Sequence, residues 1–173
     1  LLVGHSVIQT LSYMSATGVD SVVGLDTGKI ARLRDLKDNT DPIIALAVLV
    51  DDTSIANQWK LSNAEAQDLK FYLSYRNKKL NKDQVEHLVI DGVDKSKIIN
   101  LLKIQNNNEL INYIDKFEIP KFPITGKDLI QHGMTPGPNL GATLNKLKDL
   151  WKQNNYDISA DDLLNAITTE SKH

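Results

Sequence analysis

The sequence predicts an all-α protein, a multi-helical body followed by a C-terminal helical hairpin tail. Three observations carry this expectation. Apolar residues recur at helical spacing along nearly the whole chain, as in Ile98, Leu101 and Leu102, or Leu140, Leu144, Leu147 and Trp151. Helix-start signals repeat: Ser62 with Glu65, Thr125 with Asp128 and Ser159 with Asp162 each place a carboxylate three residues after a hydroxyl cap. Strand-like alternation is confined to Val19–Leu25, and the flanking Gly18 and Gly24 make that stretch read more like a loop. About ten short helices are expected.

Taken in order, Asp41-Pro42 opens the first clear helix, with a cap followed by a proline whose missing N–H costs nothing in the first turn. The helix over 42–50 is apolar on every side. Ser62 to Glu65 starts the next helix, with Leu69 and Leu73 on one face. Gly92-Val93 reads as a joint, and Asp94 caps a helix whose inner face is Ile98, Leu101, Leu102 and Gln105. Gln105–Asn108 is a short polar turn. Phe117–Pro123 contains Pro120 and Pro123, which hold the chain extended, so a soft boundary is expected between a body, 1–119, and a tail, 120–173. In the tail, Thr125 caps a short helix that stops at Gly133, a natural left-handed C′ residue. Pro136-Gly137-Pro138 turns the chain, and Pro138 suits the first position of a longer helix ending near Trp151.

Bulk properties narrow the function. A chain of 173 residues suits one domain or two small ones. Formal net charge is -2 and the pI is near 6.1, so any nucleic-acid contact has to rest on local patches. There is no cysteine, which removes disulfides and thiolate metal sites. The longest apolar run, Pro42–Val50, is too short to cross a bilayer and no signal peptide is evident, so the expectation is a cytoplasmic protein without membrane partners.

No catalytic or metal-binding set is expected in this chain. His5, His87, His132 and His173 share no ligand spacing. Asp51-Asp52 follows a helical run, where neighbouring side chains diverge. No nucleophile elbow, Walker loop or dinucleotide fingerprint occurs. Two basic groups remain. Lys70, Arg76, Lys78 and Lys79, with Lys82, surround the end of one helix and the start of the next, interleaved with Tyr72 and Tyr75. Lys127, Lys146 and Lys148 lie in or near the tail hairpin, where Gly126, Gly137 and Gly141 would let a phosphate backbone come close and two helix N-termini offer free N–H groups. Spacing and charge alone favour a plainer reading, in which the glycines serve turns and packing and the lysines are solvated.

The tail motif shifts that balance. Ile124–Ile130 (ITGKDLI), the following G-x-x-PGP-x-LG from Gly133, and L-x-x-L-x-x-L-W ending at Trp151 resemble the C-terminal region of bacterial CCA-adding tRNA nucleotidyltransferases and the related poly(A) polymerases. Leu61–Leu69 (LSNAEAQDL) and Asp41–Leu49 (DPIIALAVL) resemble helices of the same family in the same order, so the likeness runs from roughly residue 20 to 165. The resemblance implies a tRNA-binding body and tail that position an RNA 3′ end for nucleotide addition. Its implied partners are tRNA or other RNA 3′ ends and an N-terminal catalytic head. The head's Gly-Ser turn and paired aspartates are not found in this sequence, which opens Leu1-Leu2-Val3. Mg²⁺ and nucleoside triphosphates are accordingly expected for the head, with no cofactor in this chain and no catalysis by it alone. The competing expectation is a helical protein-interaction module without an RNA role, and a stand-alone enzyme ranks last.

Overall fold

The structure is a computed structural model that describes residues 7–34, 36 and 41–170. His5 and His173 lie outside the described residues. Among the described residues the chain is helical, without strands. It divides into two compact units, Leu1–Phe117 and Glu118–His173.

The larger unit contains α1 (Val7–Thr17), α2 (Val19–Val22), a 3-10 turn (Thr27–Lys29), α3 (Ile30–Leu33), α4 (Pro42–Leu49), α5 (Ile55–Gln58), α6 (Asn63–Tyr75), α7 (Lys82–Ile90), α8 (Lys95–Ile104) and α9 (Asn108–Lys116). Its centre is α4, in which every residue from Ile43 to Leu49 is buried. A helix with no polar face is stable only when surrounded, since each large aliphatic side chain gains roughly 1.5–3 kcal/mol on leaving water. Helices α6 and α8 pack against it, and α8 contributes the fully buried Ile98, Leu101 and Leu102. The expected caps form. The Asp41 carboxylate accepts from the Ile43 N–H at 2.8 Å. The Ser62 N–H donates to Glu65 Oε2 at 2.8 Å while the Glu65 N–H donates to Ser62 Oγ at 3.3 Å. A further reciprocal box, unread in the sequence, joins Asn81 and Gln84 at the start of α7, with bonds of 3.0 and 2.9 Å.

The smaller unit contains α10 (Gly126–Gln131), α11 (Pro138–Gln153) and α12 (Ala160–Glu170). The Thr125 N–H donates to Asp128 Oδ2 at 2.7 Å and the Thr125 hydroxyl to the same oxygen at 2.6 Å, closing the expected box. Gly133 sits at φ +91, and the Met134 N–H returns to the Leu129 carbonyl at 3.1 Å, the left-handed stop expected after α10. Trp151 is buried between Phe122 and Tyr156, with ring centroids 5.3 and 5.0 Å away. Of the expected inner stripe of α11, Leu147 and Trp151 are buried, while Leu140 and Leu144 are only half-buried.

About ten helices are expected and twelve occur among the described residues. Three of them, α2, α3 and α5, are each four residues long and too short to display a period. The loop-like reading of Val19–Leu25 is corrected in part. Its first half is α2, whose buried Asp20 accepts a hydrogen bond from the Thr27 hydroxyl.

Candidate nucleic-acid interface

The basic residues singled out in the sequence fall into three situations. Arg76 is the first. Its side chain is only 10% exposed, and Nη1 donates to the Ala47 and Val50 carbonyls at 2.5 and 2.6 Å. Those carbonyls end α4 and have no partners of their own within the helix. Nη2 reaches Asp51 at 3.3 Å, and Lys29 meets the same Asp51 oxygen at 2.5 Å. The Lys29 hydrogen bond, reinforced by the charges of Lys29 and Arg76, holds the Asp51 carboxyl below the usual range. Arg76 thus closes the C-terminus of the central helix. Asp51, the first of the sequence's paired aspartates, completes that closure. Asp52 turns away to accept from the Ser54 N–H at 2.7 Å.

Lys78 and Lys79 form the second situation. Both are exposed in the connection between α6 and α7. Lys78 lies 4.3 Å from the Tyr75 ring centroid, and neither lysine has a carboxylate partner among the described residues. The connection is held from below by Gln105, the C-cap of α8, whose Nε2 donates to the Tyr75 and Lys78 carbonyls, each at 2.8 Å. Together with the turn between α8 and α9, it borders an open groove of about 550 Å³ lined by Arg76, Asn77, Lys78, Lys79, Asn106–Asn108 and Glu109. Lys70 projects from the exposed side of α6 and does not line the groove. Lys82 has been drawn to Glu109, at 3.9 Å. The polar turn Gln105–Asn108 is therefore part of the candidate interface, which the sequence did not show. Its place beside Lys78 and Lys79 depends on α6 and α8 lying side by side, and no local spacing encodes that.

The third group is in the smaller unit. Lys127 is exposed in the first turn of α10 and has no ion pair among the described residues. The two helix starts are neighbours in space: a Cβ on Gly126 would stand 3.2 Å from Leu140 Cδ2. Gly126 is thus a packing glycine. Gly137, at φ +157 and ψ -176, occupies a backbone region that other residues avoid. Lys146 and Lys148 lie eight and ten residues beyond Pro138, about 12 and 15 Å up the α11 axis. The hairpin turn therefore does not gather Lys146 and Lys148 at the start of α11. The Asp128 carboxyl beside Lys127 is held below its usual range by the Thr125 hydroxyl and N–H.

No group of three or more His, Asp or Glu able to hold a metal occurs among the described residues. His87 lies within α7, and His132 follows the last turn of α10. No described helix is long and apolar enough to cross a membrane.

Known proteins give the strongest indication of function. A protein from Danio rerio named CCA tRNA nucleotidyltransferase 1, mitochondrial, is 28% identical over 189 residues, covering 97% of this chain. The chain's similarity supports the CCA tRNA nucleotidyltransferase family. The Homo sapiens protein of the same name is 33% identical over 72 residues, 42% of this chain. A CCA-adding enzyme from Pediococcus pentosaceus is 28% identical over 124 residues, 66% of the chain. These relatives are vertebrate and bacterial, so they do not single out the bacterial branch that the motif suggested. The chain spans 44%, 17% and 31% of their lengths. No protein-family model matches.

Proposed function

We propose that this chain is the tRNA-gripping helical part of a CCA-adding nucleotidyltransferase, and that it fixes the RNA so that the 3′ end reaches a catalytic head elsewhere in the whole protein. The observation that carries the reading is the similarity to a named CCA tRNA nucleotidyltransferase over 97% of the chain. Nucleotide transfer itself belongs to the head, together with the nucleoside triphosphate and the Mg²⁺ ions that such transfer employs. The described residues lack a metal-holding cluster, so no metal-dependent step is assigned to them. Their contribution is positional: an RNA end held in place reacts as though at high local concentration.

Binding rests on local cations, because the net charge of -2 provides no general attraction for RNA. Lys127, exposed beside the hairpin, and Lys78 with Lys79 are the residues whose charge is available. Lys70, exposed on α6, extends the set, and Lys146 and Lys148 lie further along α11 as additional candidates.

The test is a titration of tRNA with the chain across a range of salt concentrations. Binding should weaken as salt rises. Lys127→Glu should lower the affinity and reduce the log–log salt slope by about one. Lys60→Glu, an exposed lysine outside both groups, should leave the slope unchanged. Equal losses at both positions would reduce the effect to a diffuse field. Absence of salt-dependent binding at low ionic strength, both in this chain and in a full-length protein carrying the head, would reject the RNA reading and leave a helical interaction module.

A further inference from the structure

We propose that the groove between the α6–α7 connection and the α8–α9 turn holds one unpaired nucleotide of the bound RNA, with its phosphate on Lys78 and Lys79 and its base edge on the amides of Asn77 and Asn108. This rests on the RNA-binding reading and adds the site and the form of RNA it takes.

Size is the first argument. At about 550 Å³ the groove falls within the roughly 300–1,000 Å³ of sites that take small organic groups. That is room for one nucleotide.

Charge is the second. Lys78 and Lys79 have no carboxylate partner among the described residues, whereas Lys29, Arg76 and Lys97 are each matched to an aspartate. The groove's own acid, Glu109, faces Lys82 at 3.9 Å. The rim therefore keeps positive charge available for a phosphate.

The third argument is the lining. Asn77 and Asn108 are exposed side-chain amides, each with two donors and an acceptor. Amides of this kind pair with base edges, and the Watson–Crick edge of an RNA base is open to them where the base is unpaired. Asn107 is already engaged, accepting from the Leu110 N–H at 3.1 Å. The Tyr75 face carries the Lys78 ammonium, so the base is held by its edge and not by stacking.

The fourth argument is pre-organisation. Gln105 ties down the Tyr75 and Lys78 carbonyls. On the other side, Arg76 is anchored to the end of α4. The connection that presents both lysines is thus fixed before RNA arrives, which reduces the ordering cost of binding.

The experiment uses the whole chain and a fluorescently labelled tRNA. Competitors are a single-stranded RNA, a blunt-ended RNA duplex of the same sequence, and polyglutamate. The variants are Lys78→Glu/Lys79→Glu, Asn77→Ala/Asn108→Ala and Lys127→Glu. The lysine pair should reduce affinity and lower the log–log salt slope by roughly 0.7, the value for one phosphate on a single strand. The asparagine pair should weaken binding several-fold with an unchanged slope. Single-stranded RNA should compete better than the duplex. Duplex competing as well as the single strand would overturn the unpaired nucleotide. Polyglutamate competing equally would make this a general polyanion surface. If Lys127→Glu weakens tRNA binding while the lysine pair does nothing, the groove is wrong and the RNA-binding reading stands. If the wild-type chain binds no RNA, that reading itself has failed. Thermal melting checks the fold of each variant. Lys79→Glu alone, at an exposed residue without a carboxylate partner among the described residues, should then weaken binding and lower the slope in the same direction if the double variant melts early.

Discussion

The two units reach helical structure by different routes. In the larger one, α4 has no solvent face, and seven consecutive residues from Ile43 to Leu49 are buried. Burial dictates where its neighbours go, and even its end is closed by a side chain from another helix, Arg76. In the smaller unit the sixteen residues of α11 bury only Leu147 and Trp151 fully. Local signals carry more of the weight there: the Thr125–Asp128 box, left-handed Gly133 and Pro138 at a helix start. A burial-driven unit spreads its stability over many contacts, whereas a signal-driven unit concentrates it in a few residues.

The sharpest break of that comparison is Trp151→Ala. The buried apolar set of the smaller unit is Ile124, Leu129, Leu147, Trp151, Leu163 and Leu164. Trp151 is its largest member and the partner of both Phe122 and Tyr156. Removing a buried tryptophan costs about 3–5 kcal/mol. Amide exchange should show α10, α11 and α12 losing protection while α4 and α8 keep theirs. Uniform loss across both units would show that the two are energetically one.

What could be read in advance follows the same division. The tail's caps and stops are local, written within four or five residues, and Thr125, Gly133 and Pro138 stand where the sequence puts them. In the body, Asp41, Ser62 and Asp94 are equally legible, and the uniformly apolar Pro42–Leu49 is visible as a buried helix. The pairing of the charges was not. Arg76 looks like Lys78 and Lys79 in sequence, yet its partners, Ala47, Val50 and Asp51, are 25 to 29 residues away. The amide turn at Gln105–Asn108 lies about as far in sequence from the lysines it faces. Tertiary contacts of that separation leave no periodic trace, which is why the candidate groove had to be found in three dimensions.

Arg76→Met sharpens the contrast within the body. Methionine keeps much of the apolar stem but leaves the Ala47 and Val50 carbonyls unpaired at a largely buried helix end. Hydrogen bonds from a charged donor contribute about 1.5–3 kcal/mol, and a loss of that size should appear in urea unfolding. Arg76→Lys should restore little of it, because a single ammonium lacks the fork that reaches two carbonyls and Asp51 together. Full stability in Arg76→Met would mean that the α4 terminus closes by other means. It would also return Arg76 to the set of available cations.

The smallest expected effect compares the two hydroxyl capping boxes. Thr125→Ala and Ser62→Ala should each cost about 1 kcal/mol, but α10 has six residues and α6 thirteen. Short helices are marginal without tertiary support, and α10 buries only Leu129, whereas α6 buries Leu69 and Tyr72. The same local loss should therefore fray α10 further than α6. Acid provides a second route to the comparison. Asp128 and Glu65 are both held below the usual carboxylate range, each by hydrogen bonds from the hydroxyl and N–H of its cap residue. A depressed folded-state value contributes stability at pH above the unfolded carboxylate range, and the contribution fades as pH falls through the lower folded value. Both caps should consequently hold at neutral pH and weaken only in acid below the ordinary carboxylate range. Amide exchange at the start of α10 should quicken first, followed by the start of α6. In Asp128→Asn the exposed carboxylate is gone, so exchange at α10 should lose this pH dependence while α6 keeps its own. Simultaneous fraying of the two helices in the wild-type chain would show that the cap is no more important to the six-residue helix than to the thirteen-residue one.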